Sequence, residues 1–413
     1  MNTTIFSAIK AYKDRVFGYD AETRIAFFVL LTALVSTTLC AVAVFAFAIY
    51  LLIKKYGSLY FKKENRLSTV FGCLLLVVSA VYLNYLGVLA AAFLICAMLI
   101  AFCFKQNITK QKVEDIFTLM IAYSPIAFII AVIQKILDLS AIPGRSESTF
   151  LNALFYCYYL GFVILICFYR VLFVKKQVGL HLSLMILNIL AIIVTASKMP
   201  LLSVAIACGV MLLLAKRYKL FALFLSVGVL GVVVLLFFGD TILEKLDMNG
   251  FLKSFEDRFP YWQQAIDGFV EKPVFGHGLL GFLKETIDNS VLGADYSFEL
   301  SNVNKSFDGL KGAGWHLHAH SILLDCLYNY GTVGTVMFFA IVIKRVRHLY
   351  VTVGKKVLEP IMILVICFLI NVLIGGLVDC QFIGVQTFFI SIIMLSVTAI
   401  YDNEIKTDWS CKI

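Results

Sequence analysis

Apolar runs of about 18 or more residues recur along almost the whole chain, and they constrain the fold more than any other feature. A bilayer core holds no water to satisfy backbone N–H and C=O groups, so only helices or closed barrels cross it. The runs here are continuous rather than alternating, which selects helices. Charged residues are 15% of the chain and the mean hydropathy is +0.92, against roughly 25% charge in an average soluble domain. The expected fold class is an all-α polytopic membrane protein. Spans are predicted at about 25–53, 67–83, 86–104, 114–138, 149–174, 178–195, 199–215, 218–238, 319–343, 357–377 and 380–400. No cleavable leader is read, because the first apolar run is too long for a signal peptide.

One long polar stretch, 239–318, interrupts the pattern. It divides the chain into a polar segment 1–24, a first bundle 25–238 of about eight spans, the loop 239–318, three further spans in 319–400 and a tail 401–413. Basic residues cluster in alternate linkers: Lys54, Lys55, Lys62, Lys63 and Arg66, then Lys105, Lys110 and Lys112, then Arg170, Lys175 and Lys176. Lys216, Arg217 and Lys219 follow, then Lys344, Arg345, Arg347, Lys355 and Lys356, and Lys406 and Lys412 in the tail. The long loop instead holds seven basic residues against twelve acidic ones. Positive linkers stay in the cytoplasm, so the loop is expected outside and the tail inside. An odd number of spans would then put residues 1–24 outside, although they carry Lys10, Lys13, Arg15 and Arg24. Either one crossing is missed near the start, giving about 11–12 in all, or the first segment is an interfacial helix. The net charge of +9 reflects these linkers, and no nucleic-acid partner is expected. The eleven cysteines form no CxxC pair and no zinc spacing, and read as small apolar residues.

Both ends of the loop carry candidate chemistry. Residues 260–270 read as a short amphipathic helix with Trp262, Ala265, Ile266 and Phe269 on one face, opened by Pro260. Lys272-Pro273 ends it, and Phe275-Gly276-His277-Gly278 is a tight turn. Arg258 precedes the helix N-terminus, where an anion is favoured, and its fork suits a phosphate. A surface pairing with Glu256 or Asp257 is the alternative. At the other end, His316, His318 and His320 fall within five residues and run into an apolar helix. They fit catalysis or substrate binding, with a metal site disfavoured because no carboxylate or Cys lies at ligand spacing. A neutral imidazole beside a cation stays a base near neutral pH. Asp325, Asp379 and Lys198 are charges placed at or near membrane depth, each a site candidate by its cost. Asp325 would orient a histidine, pair with Lys198 or simply hold the bundle together.

These residues resemble the O-antigen ligase and polymerase superfamily of membrane glycosyltransferases. Arg258-x3-Trp262 with Pro273-x2-Gly276-x-Gly278 resembles one family motif, and His318-x-His320-Ser321-x9-Gly331-x2-Gly334 a second. Thr195-x-Ser197-Lys198 resembles a third, at the end of a span. Ser321 stands where the family has Asn, and Lys198 where it has Arg. The resemblance implies a metal-independent, inverting transfer with no cofactor, from an undecaprenyl-diphosphate-linked glycan to a glycan or glycolipid acceptor. It would occur at the outer face of a bacterial cytoplasmic membrane. It implies His320 as base and Arg258 as diphosphate clamp, both catalytic. His318, Lys198, Trp262, Ser321 and Asp325 would bind substrate. A flippase and a chain-length regulator are further partners it implies.

A glycolipid flippase or other transporter is the competing class. It predicts charged residues lining a central cavity, more even loops and, in many folds, an internal repeat, which this sequence does not display. A sugar transferase with an acidic first loop fits less well, because Asn84–Gly87 contains no carboxylate.

Overall fold

In a computed structural model, residues 2–139, 146–150, 152–195, 197–237, 258–285, 318–353, 359–377 and 384–400 are described. Every regular element among them is helical. They are α1 (Asn2–Phe17), α2 (Ala21–Val35), α3 (Thr37–Ile53), α4 (Arg66–Val81), α5 (Tyr85–Gln106), α6 (Lys110–Ile136) and α7 (Ala153–Tyr169). Then follow α8 (Val178–Val194), α9 (Lys198–Leu214), α10 (Tyr218–Phe237), α11 (Phe259–Glu271), α12 (Ile322–Val353), α13 (Pro360–Gly376) and α14 (Val385–Ser396). Among the described residues, four stretches are long and apolar enough to cross a membrane, alongside several shorter apolar helices. The protein is an all-α polytopic membrane protein, as its hydropathy demands.

The bundle is built around α7. Its residues Tyr156, Tyr158 and Tyr159 are fully buried, and the Tyr159 hydroxyl donates to the Met120 carbonyl of α6 at 2.6 Å. A buried phenol needs such a partner. Phe162 of α7 meets Phe368 of α13 edge-on at 5.2 Å.

The first apolar run differs from the single span predicted at 25–53. Ser36 is extended (φ −162°, ψ 136°) and its hydroxyl accepts from the Leu39 N–H, capping α3. The chain folds back there, and Phe28 meets Phe47 edge-on at 5.5 Å. In one straight helix those residues would lie nearly 30 Å apart, at about 1.5 Å per residue. Continuous hydrophobicity concealed the turn, because both arms are apolar and the break between them is only the short Ser36-Thr37-Thr38 step.

The extra arm removes the parity conflict. Arg15 grips Asp115 of α6 through Nε (2.8 Å) and Nη2 (2.6 Å), and the Tyr19 hydroxyl donates to the same carboxylate at 2.6 Å. Lys112 pairs with Asp20, which caps α2. Residues 1–24 therefore end on the face of the bundle that carries the basic linker Lys105–Lys112, where their own cations fit the charge rule.

Candidate functional site

The polar loop is anchored by a break in a helix. α12 runs through Gly331, which has φ +61° and ψ −170°, a conformation essentially reserved for glycine. The break cancels the intrahelical bonds of Thr332 and Val333, and the loop replaces them. Thr332 N–H donates to Pro273 O (2.8 Å) and Val333 N–H to Val274 O (3.1 Å). The Tyr328 carbonyl, freed by the same break, accepts from the His277 N–H at 2.9 Å. Gly276 (φ +68°) faces Gly331 directly, and a Cβ on either would lie 2.5 Å from the backbone nitrogen of the other. Gly278 (φ +83°) is pressed on Ser79 of α4. Next to it Leu279 N–H donates to the Ser79 hydroxyl (3.0 Å), and Asn84 donates to Leu279 O at 2.8 Å. The motif glycines thus act as a dock between the loop, α12 and the α4–α5 turn.

Docking lays α11 on α12. Ala265 and Gly268 are buried, and a Cβ at Gly268 would overlap the Tyr328 ring. The packed face is therefore Tyr261–Ala265–Gly268, rotated from the predicted one, and Ile266 is 44% exposed. Periodicity weighted the large apolar residues, whereas close approach to Tyr328 needed the small ones. His277 stacks on Tyr328 with centroids 4.3 Å apart and planes 10° from parallel. Its Nε2 is 2.9 Å from Gly268 O and its Nδ1 3.3 Å from Lys272 Nζ. The ammonium can only donate, so Nδ1 accepts and Nε2–H donates to the carbonyl. Lys272 also lies 4.4 Å from the Tyr82 ring centroid, a cation–π contact. No spacing in the sequence assigns His277 this role, and Tyr261, Lys272 and Tyr328 join the site only through these tertiary contacts.

Burial lowers the proton affinity of His277, and the Lys272 charge lowers it further. Its folded pKa lies below the ordinary 6.5, so as pH falls the unlocked loop takes up the proton first. The docking energy it contributes is full above that value and is lost below it. Limited proteolysis of the loop is expected to accelerate between about pH 7 and pH 5. A His277→Gln protein should cleave at a rate that no longer follows this titration. A wild-type loop equally resistant across the range would refute the role.

The histidine end is set by Asp325, which is 3% exposed. Its Oδ1 accepts from the Ala319 N–H at 2.8 Å, and its Oδ2 lies 3.5 Å from His318 Nδ1. His318 Nδ1 accepts from the His320 N–H at 3.0 Å, so neutral His318 carries its proton on Nε2. The turn holds His320 at φ +52°, a left-handed conformation uncommon outside Gly, Asn and Asp. The His318 and His320 rings are 4.3 Å apart. Ser321 is buried, and its carbonyl accepts the Asp325 N–H at 2.8 Å. Asp325 thus faces His318 and the backbone beside His320.

The loop helix and the histidine turn meet. The Tyr261 ring of α11 lies 6.0 Å from the His320 ring. Arg258, half-buried, is the N-cap of that helix and its carbonyl accepts from the Trp262 N–H at 3.0 Å. Trp262 packs edge-on against Phe259 at 5.4 Å. The first turn of α11 therefore brings Arg258 and Trp262 to the end of α12 that carries His320.

The third motif sits at the same end of the bundle. Thr195 donates to Ile192 O at 2.6 Å, contacts Cys157 Sγ at 2.9 Å and accepts from Ser197 N–H at 3.3 Å, shaping the link from α8 to α9. Ser203, five residues into α9, bonds Asn371 of α13 at 2.8 Å. Asn371 lies five residues before Gly376, against which Ile322 packs. Lys198 and the start of α12 are therefore at one level. The Ser197 hydroxyl is buried without a hydrogen-bond partner among the described residues. The side chain of Lys198 lies outside the described residues, as do His316, Glu256, Asp257, Asp379, the tail 401–413 and the loop stretches 239–257 and 286–317.

Residues 182–339 match the family model described as O-antigen ligase. The match runs from α8 through most of α12 and takes in all three motifs. No curated protein matches the chain.

Proposed function

We propose that this chain, a member of the O-antigen ligase and polymerase superfamily, transfers glycan from an undecaprenyl-diphosphate carrier to an acceptor sugar hydroxyl. The observation that carries the reading is the contact of Tyr261, in the first turn of the helix that Arg258 caps, with His320. His320 removes the acceptor hydroxyl proton. The oxygen attacks the anomeric carbon from the face opposite the diphosphate, the carbon–phosphate oxygen bond breaks, and the diphosphate leaves with the bonding pair. The configuration inverts. Arg258 offers a bidentate fork to the developing charge. Lys198, the Ser197 hydroxyl and the N-terminus of α9 add donors and positive potential at the same level. Asp325 and His318 fix the backbone around the base, Trp262 stacks on a sugar face, and Ser321 supports the turn.

The site would open to the outer side of a bacterial cytoplasmic membrane, opposite the basic linkers. Purified protein in detergent, given an undecaprenyl-diphosphate oligosaccharide, an acceptor and EDTA, is expected to transfer glycan without added metal. Product length separates ligation to a terminal acceptor from polymerisation. Absence of transfer with every acceptor, together with carrier movement across proteoliposomes, would replace the transferase with a transporter.

A further inference from the structure

Away from this site, a cavity of about 1220 Å³ opens between α4, α5, α12, α13 and α14. That exceeds the roughly 300–1,000 Å³ of ordinary small-molecule pockets. Its walls are apolar, among them Phe71, Met98, Phe338 and Phe368. Its rim is not. Lys62, Lys105, Lys344 and Arg347 line it with one carboxylate, Glu64. Lys105 lies at the end of α5, on the face where α1 and the Lys112 linker pack. At its far end the cavity reaches Ile322, two residues beyond His320.

We propose that this cavity binds an anionic phospholipid, with its phosphate at the four-cation rim and its acyl chains along the apolar walls toward Ile322. The charge pattern decides the occupant. A neutral lipid gains nothing from the cations, and a diphosphate carrier would hold its charge at the opposite end, beside Arg258. Basic pockets between membrane helices recognise anionic headgroups in this way.

The full chain, taken from vesicles of equal phosphatidylglycerol and phosphatidylcholine into native mass spectrometry, is expected to retain phosphatidylglycerol preferentially. Each rim cation removed, as in Lys62→Ala, Lys344→Ala or Arg347→Ala, should lower that retention about fivefold. Ala340→Trp, which fills the cavity from α12, should lose it altogether while the melting profile is kept. Ser68→Leu repeats the block from the α4 side should Ala340→Trp not fold. Equal retention of both lipids, or retention unchanged by the blocking variants, would overturn the proposal. So would displacement of phosphatidylglycerol by a long-chain polyprenyl diphosphate, which would assign the cavity to the donor.

Discussion

Replacing His320 with asparagine is expected to lower glycan transfer by about 10²–10⁴-fold, the usual contribution of a positioned general base. Asparagine is the informative choice. His320 sits at φ +52°, and alanine there would add backbone strain to the loss of the imidazole. Asparagine tolerates that conformation and keeps the turn. The loss should fall on kcat, since the base acts only as the acceptor proton moves. Asp325→Asn tests the support beneath it. The amide oxygen still accepts from Ala319 N–H, so the turn survives, but the negative charge 3.5 Å from His318 Nδ1 disappears. A smaller loss is expected, with the limb of the pH–rate profile set by the histidines displaced. Transfer at wild-type rates in His320→Asn would remove His320 from the chemistry and shift attention to His318.

The sequence made the membrane helices legible because the apolar runs are long, and it marked both ends of the loop because their residue types are rare in such a chain. It could not show the turn at Ser36, where only a short polar step, Ser36-Thr37-Thr38, separates two apolar helices. Nor could it orient α11. Trp262, Ile266 and Phe269 dominate any apolar count, yet the helix packs through Ala265 and Gly268, because contact distance there is set by Tyr328. Sequence position alone does not choose the partner of Asp325 between a histidine and Lys198. The chain turns back between residues 318 and 325, so local geometry sets Asp325 against His318. Tyr261 entered only through tertiary contact, for nothing in the spacing of a tyrosine foretells a histidine about sixty residues away.

Gly331→Ala is expected to reduce transfer by on the order of 10²-fold, although the residue lies eleven positions from His320 and has no side chain to offer a substrate. A displacement of about 1 Å in a reacting group is enough for a loss of that size. At φ +61° and ψ −170° a Cβ is strained in any surroundings, and here it would meet Val274 and Gly276 backbone at 2.5 Å. Undocking costs the hydrogen bonds of Thr332, Val333 and His277 together, since each exists only because the helix is broken and the loop fills the break. Gly276→Ala attacks the same interlock from the other side. The two losses should therefore not add: once the loop has left α12, the second methyl has nothing to clash with, and the double variant should resemble either single one. Faster proteolysis of the loop should accompany the loss, with the helical bundle melting close to wild type. Gly179→Ala is the matched control, because a Cβ there meets nothing within 4 Å, and it should keep full activity. Multiplying losses in the double variant would mean that the glycines act independently and that no shared dock holds Arg258 beside His320.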